Sequence, residues 1–315
     1  MTGVALLLAL VGRVVFSFVD PSITESSGLV DLGSLMVTTN DSGGDAEVFV
    51  IDPRTGRTVG HTTYADEVTD TEALAPAGGH AVWVGDIGDN NEVRDSVQVY
   101  RVPVGRGDRT VDAVAYDLVY PDGAHDAESL VAAPDGRLYV VTKGLLGGTA
   151  YVAPRHLDPH GPNRLRAIAA VDVWATDAAL FPDGRHVLVR GYDTAAIYTF
   201  PTFRPVASLD LPKERQGEGV SIGPSGRIRL SSEGRSSPVL QVDLPAAVEQ
   251  VVEPATSTPS TTPAHGAASH DESSRSDRSD MALVGGTLVL LIGIGLVLVS
   301  RRRRGGTDEA HRRQG

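Results

Sequence analysis

Residues 128–143 read ESLVAAPDGRLYVVTK: an acid opens a short apolar run, Pro-Asp-Gly turns the chain, and a second apolar run closes on a polar residue. Proline presets φ at the first turn position and glycine tolerates positive φ later, so the two runs form antiparallel strands. The same unit opens at Glu25 (ESSGLV), Glu72 (EALA), Asp177 (DAALFPDGRHVLVRG) and Glu218 (EGVSIGPSGRIRLSSEG), a period of 41 to 56 residues. Its turns recur at Pro76-Ala77-Gly78, Pro182-Asp183-Gly184 and Pro224-Ser225-Gly226, with second runs at 81–85, 138–142 and 186–190. Alternating third runs follow at 47–51, 97–102, 150–153, 196–200 and 239–244, and most units add a fourth, such as 113–120. A period near 45 with four strand-like runs is that of a β-propeller blade. Residues 25–245 divide into five blades of about 44 residues, whereas six would leave each one short. The sequence therefore predicts an all-β, five-bladed propeller. Its last unit lacks a fourth strand, which residues 16–23 would supply by closing the ring.

In an antiparallel blade the start of one strand and the end of the next lie at the same edge. If the first run is innermost, Glu25, Glu72, Glu128, Asp177 and Glu218 ring the mouth of the central channel, and Asp41, Asp86, Lys143, Arg190 and Glu233 stand just outside them. Acids at strand starts also cap turns and keep an edge soluble. Their recurrence at one place in the unit points further, because carboxylates crowded into a channel repel unless a cation sits between them. Calcium, which takes oxygen ligands, fits that need, with Glu25, Glu72, Asp86, Glu128 and Glu218 as candidate ligands. The loop 85–92 (GDIGDNNE) adds Asp86 and Asp89 as oxygen donors, though its spacing is not that of an EF-hand and an Asx-rich turn accounts for it equally.

Two tempting motifs fail on context. Residues 219–223 (GVSIG) match the G-x-S-x-G pattern, but that motif needs a strand-to-helix turn with Asp and then His after it; here it falls inside an inner strand, and the later histidines are His265, His270 and His311. Residues 40–44 (NDSGG) place Ser42 in a trypsin-like setting, yet no histidine precedes it in the chain, and a Gly-rich turn explains it.

Outside the repeats the chain divides sharply. Residues 281–300 carry no charge over a length that spans a hydrocarbon core, and Arg301 to Arg304 follow at once, which predicts a single span with the tail 301–315 in the cytoplasm. Residues 251–280, rich in Ser, Thr, Pro, His and Asp, read as a stalk, and 1–20 as a degenerate export signal whose apolar run lacks a preceding basic region. The expected ectodomain is thus 21–250. The tail has six Arg against Asp308 and Glu309, so the remainder holds −16 of the total −12, a charge that disfavours nucleic acid and favours cationic ligands. With no cysteine, the exported domain relies on its core rather than disulfides. No LPxTG motif precedes the span, which disfavours a sortase-linked wall protein.

The stretches ESSGL, TNDSGG, EALA, GDIGDN with Arg94 after it, YPDGAHDAESL and the DGR strand together resemble a family of exported, membrane-anchored actinobacterial propeller proteins. More distantly, the chain is similar to propellers with phytase-like esterase activity. The resemblance covers residues 22–235. It implies a propeller with acids at one face, and a composition of 26 Arg to two Lys agrees with a high-GC bacterial source. Two functions follow as expectations. One is a cell-surface propeller that binds an extracellular ligand or protein partner through its acidic face. The other, implied by the phytase-like resemblance, is a calcium-dependent phosphoester hydrolase with Glu72, Glu128 and Asp86 holding metal and Lys143 and Arg190 stabilising negative charge.

Overall fold

The computed structural model describes residues 9–41, 45–65 and 67–252. Its strands form five sheets arranged as the blades of a propeller. Blade I holds β2 (Ser26–Asp31), β3 (Met36–Asn40), β4 (Glu47–Asp52) and β5 (Arg57–Thr63), with the two-residue β9 (Arg109–Thr110) added in parallel at its edge. Blade II holds β6 (Thr71–Pro76), β7 (Ala81–Asp86), β8 (Val97–Pro103) and β10 (Ala115–Val119), edged by β14 (Asn163–Arg164). Blade III is β11 (Ala127–Ala132), β12 (Leu138–Thr142), β13 (Gly148–Val152) and β15 (Arg166–Val171). Blade IV is β16 (Asp177–Leu180), β17 (His186–Arg190), β18 (Thr194–Thr199) and β19 (Pro205–Asp210). Blade V is β20 (Gly217–Ile222), β21 (Ile228–Ser232), β22 (Pro238–Val242) and, outermost, the N-terminal β1 (Gly12–Ser17). The first strands β2, β6, β11, β16 and β20 touch their neighbours in that order, and β20 returns to β2, which closes the ring.

Burial falls from the axis outward, as that arrangement requires. All six residues of β2 are buried, whereas half of β15 and half of β19 are exposed. One apolar cluster fills each gap between blades, for example Val37, Val48, Leu74, Val84 and Tyr100 between blades I and II. Stability is therefore spread over five interfaces. Three of the four predicted turns form as expected: Gly136, Gly184 and Gly226 donate N–H to Ala133, Phe181 and Gly223 at 2.9, 2.9 and 2.8 Å, each glycine at positive φ, whereas in blade II Pro76 ends its strand and the turn follows at 77–81.

Two boundaries differ from expectation. The closing strand is Gly12–Ser17 rather than 16–23, paired antiparallel with β22. Phe16, Phe18 and Ile23 pack into the gap between blades V and I, so the boundary expected at residue 20 cuts through the ring. Gly56 admits this strand, since a Cβ there would lie 1.9 Å from the Ser17 carbonyl oxygen. At the other end the short helix α1 (Ala246–Val252) runs past residue 250 and tucks Val248 and Val252 under blades IV and V. The expected stalk, span and tail lie outside the described residues. Among the described residues no helix is long and apolar enough to cross a membrane.

Candidate functional site

Pairing across the first two strands of each blade sets which residues are equivalent. Ser26, Thr71, Ala127 and Gly217 lie opposite Asn40, Asp86, Thr142 and Ser232, whereas in blade IV Asp177 itself lies opposite Arg190. The next residue in the strands of blades I, II, III and V, namely Ser27, Glu72, Glu128 and Glu218, makes up the inner ring together with Asp177 of blade IV. Three of its carboxylates sit at β-bulges, where the register skips Glu72, Glu128 and Glu218, and a bulge re-aims the side chain it carries. Glu25 does not belong to this ring. It is exposed, two residues before Ser27, at the level of Asp70, Asp126 and Gln216.

The outer set divides as well. Asp41, Lys143 and Glu233 follow the second strand, and their amides bond to the carbonyls of Glu25, Asp126 and Gln216. Asp86, opposite Thr71, lies one residue earlier, and Arg190, opposite Asp177, turns from the channel into the gap towards blade V. Arg190 is fully buried, donating to the Gly219 carbonyl at 2.8 Å, the Ser231 carbonyl at 3.2 Å and Glu214 at 2.9 Å. Asp86 accepts from the amides of Thr69 and Asp70 at 3.1 and 2.8 Å and from Arg94 at 2.9 Å. Asp89 accepts the Arg94 amide at 2.8 Å. The loop 85–92 is thus a self-bonded turn, and Asp86, Asp89 and Arg190 are structural ties.

Each inner position then meets its charge differently. Ser27 has none. Asp177 accepts the Ala178 and Val220 amides at 2.8 and 2.7 Å. Glu128 pairs with Lys143, whose ammonium also donates to the Tyr192 hydroxyl at 3.0 Å. Glu218 accepts from Gln216 at 3.3 Å, and burial still pushes its carboxyl up to about 7. Glu72 has no such partner. Among the described residues only the Ser27 hydroxyl approaches it as a donor, at 3.5 Å, and its charged neighbours are acids.

Glu72, Asp70 and Asp41 each present a carboxylate oxygen within 4.8 Å of the others. Burial first, and then the charges of Glu128, Asp41 and Asp70, hold the Glu72 carboxyl far above the ordinary range. Burial and the neighbouring Asp41 push Asp70 up to about 6. The Oδ1 atoms of Asp41 and Asp70 are buried and accept no hydrogen bond. Three carboxylates with free lone pairs, of which Asp70 alone feels a nearby cation, Arg94, and accepts a hydrogen bond from Asn90 at 3.4 Å, offer oxygen donors of the kind a divalent cation takes. Beyond the ring the channel holds a cavity of about 150 Å³ lined mainly by apolar residues, among them Leu29, Leu74, Leu130 and Val220. The larger cavity, about 470 Å³, lies at the opposite end against α1.

Of the expected ligands, Glu72 lies in this cluster; Glu25 is at the rim, Asp86 is tied to Arg94, Glu128 to Lys143, and Glu218 lies on blade V. Asp41, expected at the face, is the second member of the cluster. Asp70 escapes a reading that looks only for the acid opening each unit. Its signal was the spacing: Asp70-Thr71-Glu72 and Asp126-Ala127-Glu128 repeat an acid at alternate positions, which puts both on one side of a strand.

No family model matches the chain, and no curated protein does. Solved structures do resemble it. The β-propeller domain of Swd1 from Myceliophteria thermophila aligns at 11% identity over 74% of this chain and 100% of its own, with a TM-score of 0.43. A gluconolactonase from Xanthomonas campestris aligns at 12% identity over 75% and 90%, at 0.42. Hydrazine synthase from Kuenenia stuttgartiensis aligns at 18% identity over 74% and 59%, at 0.40. At this level of similarity the likeness bears on fold alone.

Proposed function

We propose that this chain is a ligand- or partner-binding propeller, held at the bacterial cell surface by its C-terminal span, whose channel mouth binds a divalent cation, calcium by the chemistry of its donors, at Asp41, Asp70 and Glu72. The observation that carries this is Glu72: it alone among the inner-ring carboxylates has neither a strong donor nor a counter-charge, and it faces two further acids. A buried carboxylate in that state is costly, and a cation with open coordination positions at the mouth both relieves the cost and presents a Lewis-acidic point to a ligand.

The phosphoester-hydrolase alternative draws no support from the geometry. Lys143 is spent on Glu128, Arg190 is buried against backbone carbonyls and Glu214, and Arg94 is committed to Asp86, so the residues assigned to stabilise developing negative charge are engaged. Equilibrium dialysis of the full chain against calcium tests the proposal. Asp70→Asn and Glu72→Gln should each abolish binding, and an unchanged ion content in both variants would overturn it.

A further inference from the structure

Blade III carries Lys143 at the register position where blade I carries Asp41, the residue after the second strand. The same place in the fold thus holds a cation on one side of the mouth and a metal-seeking acid on the other. Lys143 reaches inward, bonds Glu128 and the Tyr192 hydroxyl, and stands 5.4 and 5.9 Å from the ring centroids of Tyr192 and Trp174, within range of cation–π attraction.

Around this ammonium the carboxylates are only half satisfied. Glu128 is 4% exposed, and its second oxygen, Oε2, is buried with no donor. Glu218 on blade V, also 4% exposed, feels the same ammonium as its chief favourable charge. Without Lys143 this side of the mouth would hold two buried carboxylates, an orphaned oxygen and a phenol oxygen, and the positive charge left near Glu218 would be Arg190, already paired with Glu214.

We propose that Glu128, with its orphaned Oε2, and the Tyr192 hydroxyl form a second cation site whose occupant is the chain's own Lys143, so that the mouth takes one divalent ion rather than two. The count of one rests on the reading of Asp41, Asp70 and Glu72 given above; the second site does not. Lys143 is thereby a specificity-determining residue. It sets the stoichiometry and the charge that the mouth shows to a ligand.

The test is the ion content of the full chain and of Lys143→Met by dialysis against calcium, with thermal melting of both in calcium and in chelator. The wild type should hold one calcium per chain and Lys143→Met two. In chelator the variant should melt well below the wild type, because Glu128 has lost its counter-charge, and calcium should restore most of that loss. The double variant Lys143→Met/Glu128→Gln removes the buried charge, so it should fold without calcium and return to one ion. A wild type with none and a Lys143→Met variant with one would overturn the Asp41–Asp70–Glu72 reading and uphold this one. The inference is overturned if Lys143→Met binds no more ions than the wild type, if it stays unfolded at millimolar calcium, or if the double variant keeps the added ion.

Discussion

Glu72 and Glu128 occupy equivalent places in adjacent blades and should nonetheless answer the same substitution in opposite ways. Glu72→Gln removes a carboxylate whose neighbours are Asp41 and Asp70, so in chelator the domain should be as stable as the wild type or up to about 1 kcal/mol more so. Glu128→Gln leaves the Lys143 ammonium half-buried without its partner and should cost roughly 2–4 kcal/mol. Denaturant melts of both variants in chelator check this; equal effects would show that Lys143 does not neutralise Glu128. The pH dependence has a definite sign. Asp70 is raised from 3.8 to about 6 and Glu218 from 4.5 to about 7, so between these values the folded state holds protons the unfolded chain has released. Stability falls wherever the native state binds more protons. In chelator the domain should therefore melt at progressively lower temperature as pH rises from about 4 to about 7, and calcium, which needs the ionised carboxylates, should flatten that slope. A melting temperature that climbs through this window without calcium would contradict the burial of these acids.

At the scale of elements, the ring is closed by β1, and its loss has a consequence that burial makes plain. Deleting residues 1–20 removes the partner of β22 together with Phe16 and Phe18, each worth about 1.5–3 kcal/mol when buried. The fragment 21–252 should lose its cooperative melt or aggregate through the bared edge of β22, while 9–252 should melt as one unit. Circular dichroism with thermal scanning of the two fragments decides this, and a stable 21–252 fragment would mean the closure is dispensable. Local signals made the inner elements readable from sequence: Pro-x-Gly turns and the acid-opened runs marked β11, β12, β16, β17, β20 and β21 closely. The closing strand was misplaced by four residues at its start and six at its end because its partner lies more than 200 residues away, and no local pattern sets the register of so distant a pairing. The bulges at Glu72 and Glu128 were equally hidden, and they decide which way each carboxylate points. Glu25 was read into the ring because it opens ESSGLV, yet Ser27 is the residue that pairing places there.

For the whole molecule, five similar blades carry five dissimilar inner positions, and that asymmetry concentrates unpaired negative charge on blades I and II. The described chain leaves the propeller at α1, on the face opposite the mouth. If the propeller stands outside the cell on its stalk, as the arginines after residue 300 imply, protease added to intact cells should release a fragment of nearly full propeller size; protection until the membrane is permeabilised would reverse the topology. The central claim, that the mouth is built around a cation, meets its most direct test in the melting temperature of the wild-type chain in millimolar calcium against chelator at pH 7.5. Calcium at about a hundred times its dissociation constant adds about 2.7 kcal/mol, which for a domain of this size raises the melting temperature by about 5–10 °C. The account predicts that rise, and its absence in Glu72→Gln; identical melting of the wild type in calcium and chelator would contradict it.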